Sequence, residues 1–148
     1  MGREAPAGGA GGAPTVRYAD AEPNGLAAML GGLIEANVAA HPERRALLRP
    51  ATVHVVAPDA DTSVSIRLRA GEVIVANGAR GRPDVVVSAD SETLIELSSV
   101  PLRLGFPDAT TRAGRAIARK LLRRELRVKG LVTSPDVVAR LNRLLSVR

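Results

Sequence analysis

Residues 63–77, SVSIRLRAGEVIVAN, open with apolar and polar positions alternating at a period of two and read as two strands joined by a glycine turn, around which the rest of the chain is organised. Val64, Ile66 and Leu68 interleave with Ser65, Arg67 and Arg69, so one set faces a core and the other faces water. Gly71 can take the positive φ of a tight reversal, and Val73, Ile74 and Val75 then return, which predicts a β-hairpin. A lone hairpin is marginal in water, so further strands and a covering layer are needed.

Both are predicted by the flanking patterns. Leu26, Met29, Leu30, Leu33, Ile34 and Val38 recur at helical spacing behind Asn24, a plausible N-cap, and His41-Pro42 should end that helix. Gly31 and Gly32 inside it cost on the order of 1 kcal/mol each against alanine, which a close approach to another backbone would explain and plain tolerance, the favoured reading, would too. Residues 42–49 suggest a short second helix, 52–57 (TVHVVA) a first strand and 58–61 a turn. After a glycine- and arginine-rich loop at 77–83, the valines of 84–89 predict a fourth strand touched on both faces. Residues 91–98 form a short helix opened by acidic residues, which the macrodipole favours there, and 101–111, with two prolines and a glycine, read as loop.

A basic amphipathic helix is predicted over 112–125, with Ile117, Ala118, Leu121 and Leu122 on one side and Arg112, Arg115, Arg119, Lys120, Arg123 and Arg124 over the other. Residues 126–131 give a fifth strand. Ser134-Pro135-Asp136 then starts a last helix whose Val137, Val138, Leu141, Leu144 and Leu145 fall within an arc of about 120°. The expectation is an α+β domain over 24–148, a five-stranded, mainly antiparallel sheet covered on one face by four to five helices. Residues 1–23, rich in Gly, Ala and Pro, are expected to be a flexible tail.

Composition sharpens this picture in three places. The core must be aliphatic, because Tyr18 and Phe106 are the only aromatic residues. The absence of cysteine removes disulfides and thiolate chemistry and fits a reducing cytoplasm, and no secretory leader or membrane-length apolar run is present, so a cytoplasmic protein is expected. Charge is uneven: residues 103–148 carry twelve basic and three acidic side chains, whereas 1–102 carry nine and twelve. That asymmetry points to an anionic partner.

Candidate chemistry is sparse. His41 and His54 lie in different elements, with His54 read as a packed or surface side chain, and no zinc or phosphate-loop motif occurs. Asp59 with Asp61 and Asp90 with Glu92 are explained by a turn and a helix start. Neither enzymatic activity nor a metal or cofactor is expected.

The run VVVSADSETLIELSSVPLRLGFPD and, after an intervening helix, LRVKGLVTSPDVVARLNRLLSV resemble the sterol carrier protein type-two family of small lipid-binding domains. In that family a strand ending in an Ala-Asp-type turn leads into a short helix, and a strand ending in basic-x-Gly enters the last helix. Here those elements are 85–90 with 91–98, and 126–130 with 134–147. The likeness spans about 24–147 and rests on order and spacing; the long basic segment at 112–125 and the lack of an aromatic, Met-rich lining depart from it.

What the resemblance implies is an apolar tunnel between sheet and helices that takes a fatty-acyl chain, a sterol or a similar lipid without catalysis. Its expected lining is Leu94, Ile95 and Leu97 from the short helix, Leu104 and Phe106 from the loop, Leu121 and Leu122 from the basic helix, and Val128 from the fifth strand. The last helix adds Val137, Leu141, Leu144 and Leu145. Arg112, Arg115, Arg119 and Arg123 are either a solvated face or a peripheral contact with an anionic membrane. Nucleic-acid binding through 112–129 is disfavoured by the two-aromatic composition. An accessory role beside a lipid-modifying enzyme, and self-association, stay open. Whether an internal apolar cavity of about 300 Å³ or more exists is the structural observation that bears most on the carrier reading.

Overall fold

The computed structural model describes residues 15–99, 102–103, 106–123 and 125–147. Along them run the strand β1 (Val16–Tyr18), the helix α1 (Gly25–Ala40), and the strands β2 (Ala51–Ala57), β3 (Thr62–Arg69), β4 (Glu72–Asn77) and β5 (Val85–Ala89). There follow α2 (Ser91–Ser99), β6 (Leu102–Arg103), β7 (Phe106–Pro107), α3 (Arg112–Leu122), β8 (Leu126–Lys129) and α4 (Pro135–Leu145).

The hairpin of β3 and β4 turns through Gly71 at φ +74° and sits in the middle of a mixed sheet of order β1-β4-β3-β2-β5-β8. Its antiparallel ladders place Val53 opposite Ile66 and Val55 opposite Val64, so the alternating residues build one continuous apolar face. β5 lies parallel to β2, with Val53 beside Val85 and Val55 beside Val87, and β8 closes that side antiparallel to β5. Val53, Val64, Ile66, Val73 and Val85 are fully buried beneath the helices. The connection 78–83 serves the other face: His54 Nε2 donates to the Arg80 carbonyl at 2.9 Å, and Ser65 Oγ accepts from Arg80 N at 2.6 Å. His54 is therefore a buried residue with a backbone partner.

Several expectations need correction. The sheet has six strands because β1 runs parallel to β4 within the segment read as a tail, with Val16 beside Val73 and Tyr18 beside Val75. Polar wiring holds it. Val16 N donates to Glu35 Oε2 at 3.0 Å, and Asp20 accepts from Asn77 N at 2.8 Å and from Arg80 Nη2 at 2.6 Å. Those contacts, the Asn77 amide first, hold the Asp20 carboxyl below the usual carboxylate range. At Gly31 the end of the Tyr18 ring lies where a Cβ would be, so a larger residue there would need that half-exposed side chain to move, while Gly32 has open space. Residues 1–14 lie outside the described residues.

The piece at 42–49 is a 3₁₀ turn over Pro42–Leu47, and part of the 101–111 loop is a two-stranded ladder of β6 and β7. α3 ends at Leu122, short of 125, and β8 stops at Lys129. Val86, between the buried Val85 and Val87, is only half-buried, so β5 has one well-packed face. Ser134 occupies the N-cap of α4 without a capping side-chain bond.

All four helices lie over the apolar face. α1 covers β1, β4 and β3, α3 packs against β8, and α4 lies between, against α1 and α2. Asn37 Nδ2 donates to the Leu144 carbonyl at 2.9 Å, and the buried Arg140 reaches the carbonyls of Leu47 and Arg49 at 3.2 and 2.9 Å, so α4 is anchored on both sides.

Candidate functional site

α3 and α4 do not close over the β5–β8 end of the sheet. Between them is an apolar groove of about 250 Å³, floored by Val87, Leu126 and Val128 and walled by Ile117 and Leu121 on one side and Val138 and Leu141 on the other. The groove is there because the α3 side is short of volume. Gly114 and Ala118, one turn apart, line it together with Ala109 where larger aliphatics would fill the space. Gly114 is fixed for another reason as well: any Cβ would land on the Asp108 carbonyl oxygen, the point where the 108–111 turn packs under the helix. Thr111 caps that helix, accepting from Gly114 N at 3.0 Å.

A smaller void of about 30 Å³, lined by Leu30, Val55, Leu94 and Leu145, adjoins the groove, and the two share Val87, Leu97, Leu141 and Asn142. Rotamer changes in the shared side chains would extend the groove toward α1. Among the described residues Asn142 is the single polar residue of either lining. A different hollow, about 420 Å³ and more open, is bordered by Asp59, Asp90, Glu125 and Arg127, and its polarity suits no lipid chain. Among the described residues no cluster of His, Cys, Asp or Glu could hold a metal, and no helix is long and apolar enough to cross a membrane.

The residues expected to form a tunnel separate into groups. Leu97, Leu121, Val128 and Leu141 line the groove, and Leu94 and Leu145 line the adjoining void. Val137 and Leu144 are packed in the solid core, because their side of α4 meets neighbouring elements rather than space. Ile95 and Leu122 point outward, 55% and 84% exposed. Leu104 lies outside the described residues, as does the side chain of Phe106. Val87, Gly114, Ile117, Ala118, Leu131 and Asn142 were not in the expected lining. The small residues at 114 and 118 on the apolar side of a helix were the signal that could have exposed them.

α2 and α3 are joined by a polar clasp. Lys120 Nζ donates to Thr93 Oγ1 and to Glu96 Oε1, both at 2.9 Å, while Asp90 Oδ1 accepts from Thr93 N at 2.8 Å and caps α2. Hydrogen bonding to Glu96, reinforced by its charge, raises the Lys120 pKa, and the Thr93 hydrogen bonds lower that of Asp90. Arg112, Arg115, Arg119 and Arg123 are all exposed, and none forms an ion pair among the described residues.

One mixed sheet, helices on a single face and a groove beneath two of them give the sterol-carrier type-two fold. Among solved structures, one described as a UbiJ-SCP2 ubiquinone synthesis protein matches with a TM-score of 0.56 and 21% identity, covering 81% of this chain and 92% of its own. No protein-family model matches the sequence, and a comparison with curated proteins finds no match. The likeness is one of fold.

Proposed function

We propose that the chain binds an apolar, chain-shaped or polycyclic lipid in the groove between α3, α4 and the sheet, and that it does so without catalysis. The observation that carries this reading is a groove of about 250 Å³ whose lining is apolar apart from Asn142. Apolar cavities of about 150 Å³ stay dry and admit benzene, and typical ligand pockets begin near 300 Å³. A cavity between these sizes encloses part of a lipid and leaves the remainder at the mouth. At about 0.8 kcal/mol per buried methylene, enclosing eight of them yields roughly 6 kcal/mol, which corresponds to a Kd on the order of tens of micromolar before ordering costs. Selectivity should be broad, since among the described residues nothing charged lines the groove to demand a particular head group.

Among the described residues no acid, base or nucleophile lines the groove, and binding rather than turnover is the reading proposed. A second reading draws on the neighbour's printed name: the chain would hold a lipid intermediate as an accessory to an enzyme that modifies it, and an isoprenoid tail is apolar enough for such a groove. Native mass spectrometry of protein purified from its own cells, followed by lipid extraction, tests both. Mixed fatty-acyl lipids support a general carrier, and a single polyprenyl species supports the accessory role. Protein that carries no lipid and also ignores a fluorescent fatty acid would refute both.

A further inference from the structure

The groove opens on the side of α3 that carries Ala118, which is exposed and also lines the cavity. Leu122 lies four residues on, on the same flank, and is 84% exposed. Beside it along the helix stand Arg115 and Arg119, seven and three residues earlier, and Arg123 follows directly. A second aliphatic side chain, Val132, is 90% exposed and is the chain neighbour of Leu131, which lines the groove. Leu121, the neighbour of Leu122, completes the rim at 37% exposure. Two outward aliphatics thus adjoin the lip of an apolar groove, with a row of exposed arginines alongside.

We propose that this rim is a docking surface for an anionic phospholipid bilayer, where lipid passes between membrane and groove. The proposal rests on the groove being a lipid site. Two features of the rim favour a bilayer over other partners. The arginines of α3 supply charge complementarity to acidic head groups with no acidic residue on the helix to oppose it, and Leu122 and Val132 give the apolar tips that enter the head-group and acyl boundary. A nucleic acid would satisfy the arginines alone and would leave the exposed aliphatics and the groove without a role.

The test uses the full chain with vesicles of pure phosphatidylcholine and of phosphatidylcholine containing about a third phosphatidylglycerol, the order of acidic lipid at which surface charge dominates binding. Co-sedimentation is measured at low and high salt, and uptake of a water-delivered fluorescent fatty acid is measured on the same samples. The expected results are binding to the acidic vesicles only, weakening with salt, and loss of at least about tenfold in affinity in the combined variant Arg115→Glu, Arg119→Glu, Arg123→Glu. Leu122→Ser and Val132→Ser should each lower vesicle affinity several-fold while melting and fatty-acid uptake stay unchanged. Equal binding to both vesicle types, no vesicle binding, or variants that bind like the parent would overturn the proposal. So would tight binding to an oligonucleotide in place of vesicles, or a dimer that buries Leu122. Failure of fatty-acid uptake with vesicle binding intact would strike the lipid-site reading instead, which keeps the two separable.

Discussion

Replacing Ala118 by tryptophan tests the groove by filling it. Ala118 lines the cavity of about 250 Å³ from its exposed edge, so a larger side chain can lie inward without displacing packed neighbours. Tryptophan brings 150 to 250 Å² of surface; if about 100 Å² leaves water, the gain is roughly 2.5 kcal/mol. Lower helix propensity takes back about 0.5 kcal/mol and side-chain ordering about 1 kcal/mol. The net expectation is stabilisation by about 1 kcal/mol, a rise in Tm of roughly 2 to 4 °C for a chain of this size. The native chain contains no tryptophan, so the introduced indole reports on its own surroundings, and its emission should be that of a ring shielded from water. Uptake of a fluorescent fatty acid should fall at least tenfold, equivalent to about 1.4 kcal/mol. A folded variant with shielded emission and unchanged uptake would show that the ligand does not use this groove. Ala118→Phe, with a smaller ring, should give the same pattern at reduced amplitude.

Leu144→Ala should destabilise by about 3 kcal/mol, since Leu144 has no exposed surface and lines neither hollow, with the fraction that stays folded still taking up probe; denaturant midpoints measure it. Leu141→Arg should unfold the protein or abolish uptake by placing an unpaired charge between groove and void, and unchanged melting together with unchanged uptake would contradict the position assigned to α4. Lys120→Met undoes the clasp between α2 and α3 and should speed ligand exchange in stopped-flow displacement, while a rate equal to the parent's would leave the clasp with no part in access. Asp20 has a lowered folded pKa, so the stability it contributes is present above the ordinary carboxylate value of about 3.9 and is lost as pH falls through the folded value. The stability gap between the parent and Asp20→Asn should therefore be flat near neutrality and narrow below about pH 4, and a gap independent of pH down to 3 would refute the assignment.

Local apolar patterning was sufficient to locate β2, β3 and β4, by alternation in β3 and by the apolar runs TVHVVA and VIV in its neighbours, and each of the three is paired over six residues or more. It could not locate β1, which has only three residues and one buried apolar side chain, Val16. What orders that segment is a set of polar contacts to partners 19 to 60 residues away, through Glu35, Asn77 and Arg80, and no local pattern records them. The tyrosine that β1 contributes ends against Gly31, so the nearest neighbour that a Cβ at that helix glycine would meet comes from the segment read as a tail.

Leu97, Leu121, Val128 and Leu141 were expected in the groove's lining, but the small residues that open it escaped sequence reading for a different reason. A helical wheel scores each position as apolar or polar, and on that score Gly114, Ala118 and Leu121 form one acceptable buried face. A cavity is a shortage of volume, and glycine and alanine on the packed side of α3 supply the shortage while leaving the periodicity intact. The same scoring credited Leu122 with burial, although α3 lies against the edge strand β8 and leaves Leu122 84% exposed. An amphipathic helix at the rim of a small sheet has more apolar arc than the domain can cover. In this chain the uncovered part falls beside an open groove and a row of arginines, which is why the surplus leucine reads as a contact surface rather than as imperfect packing.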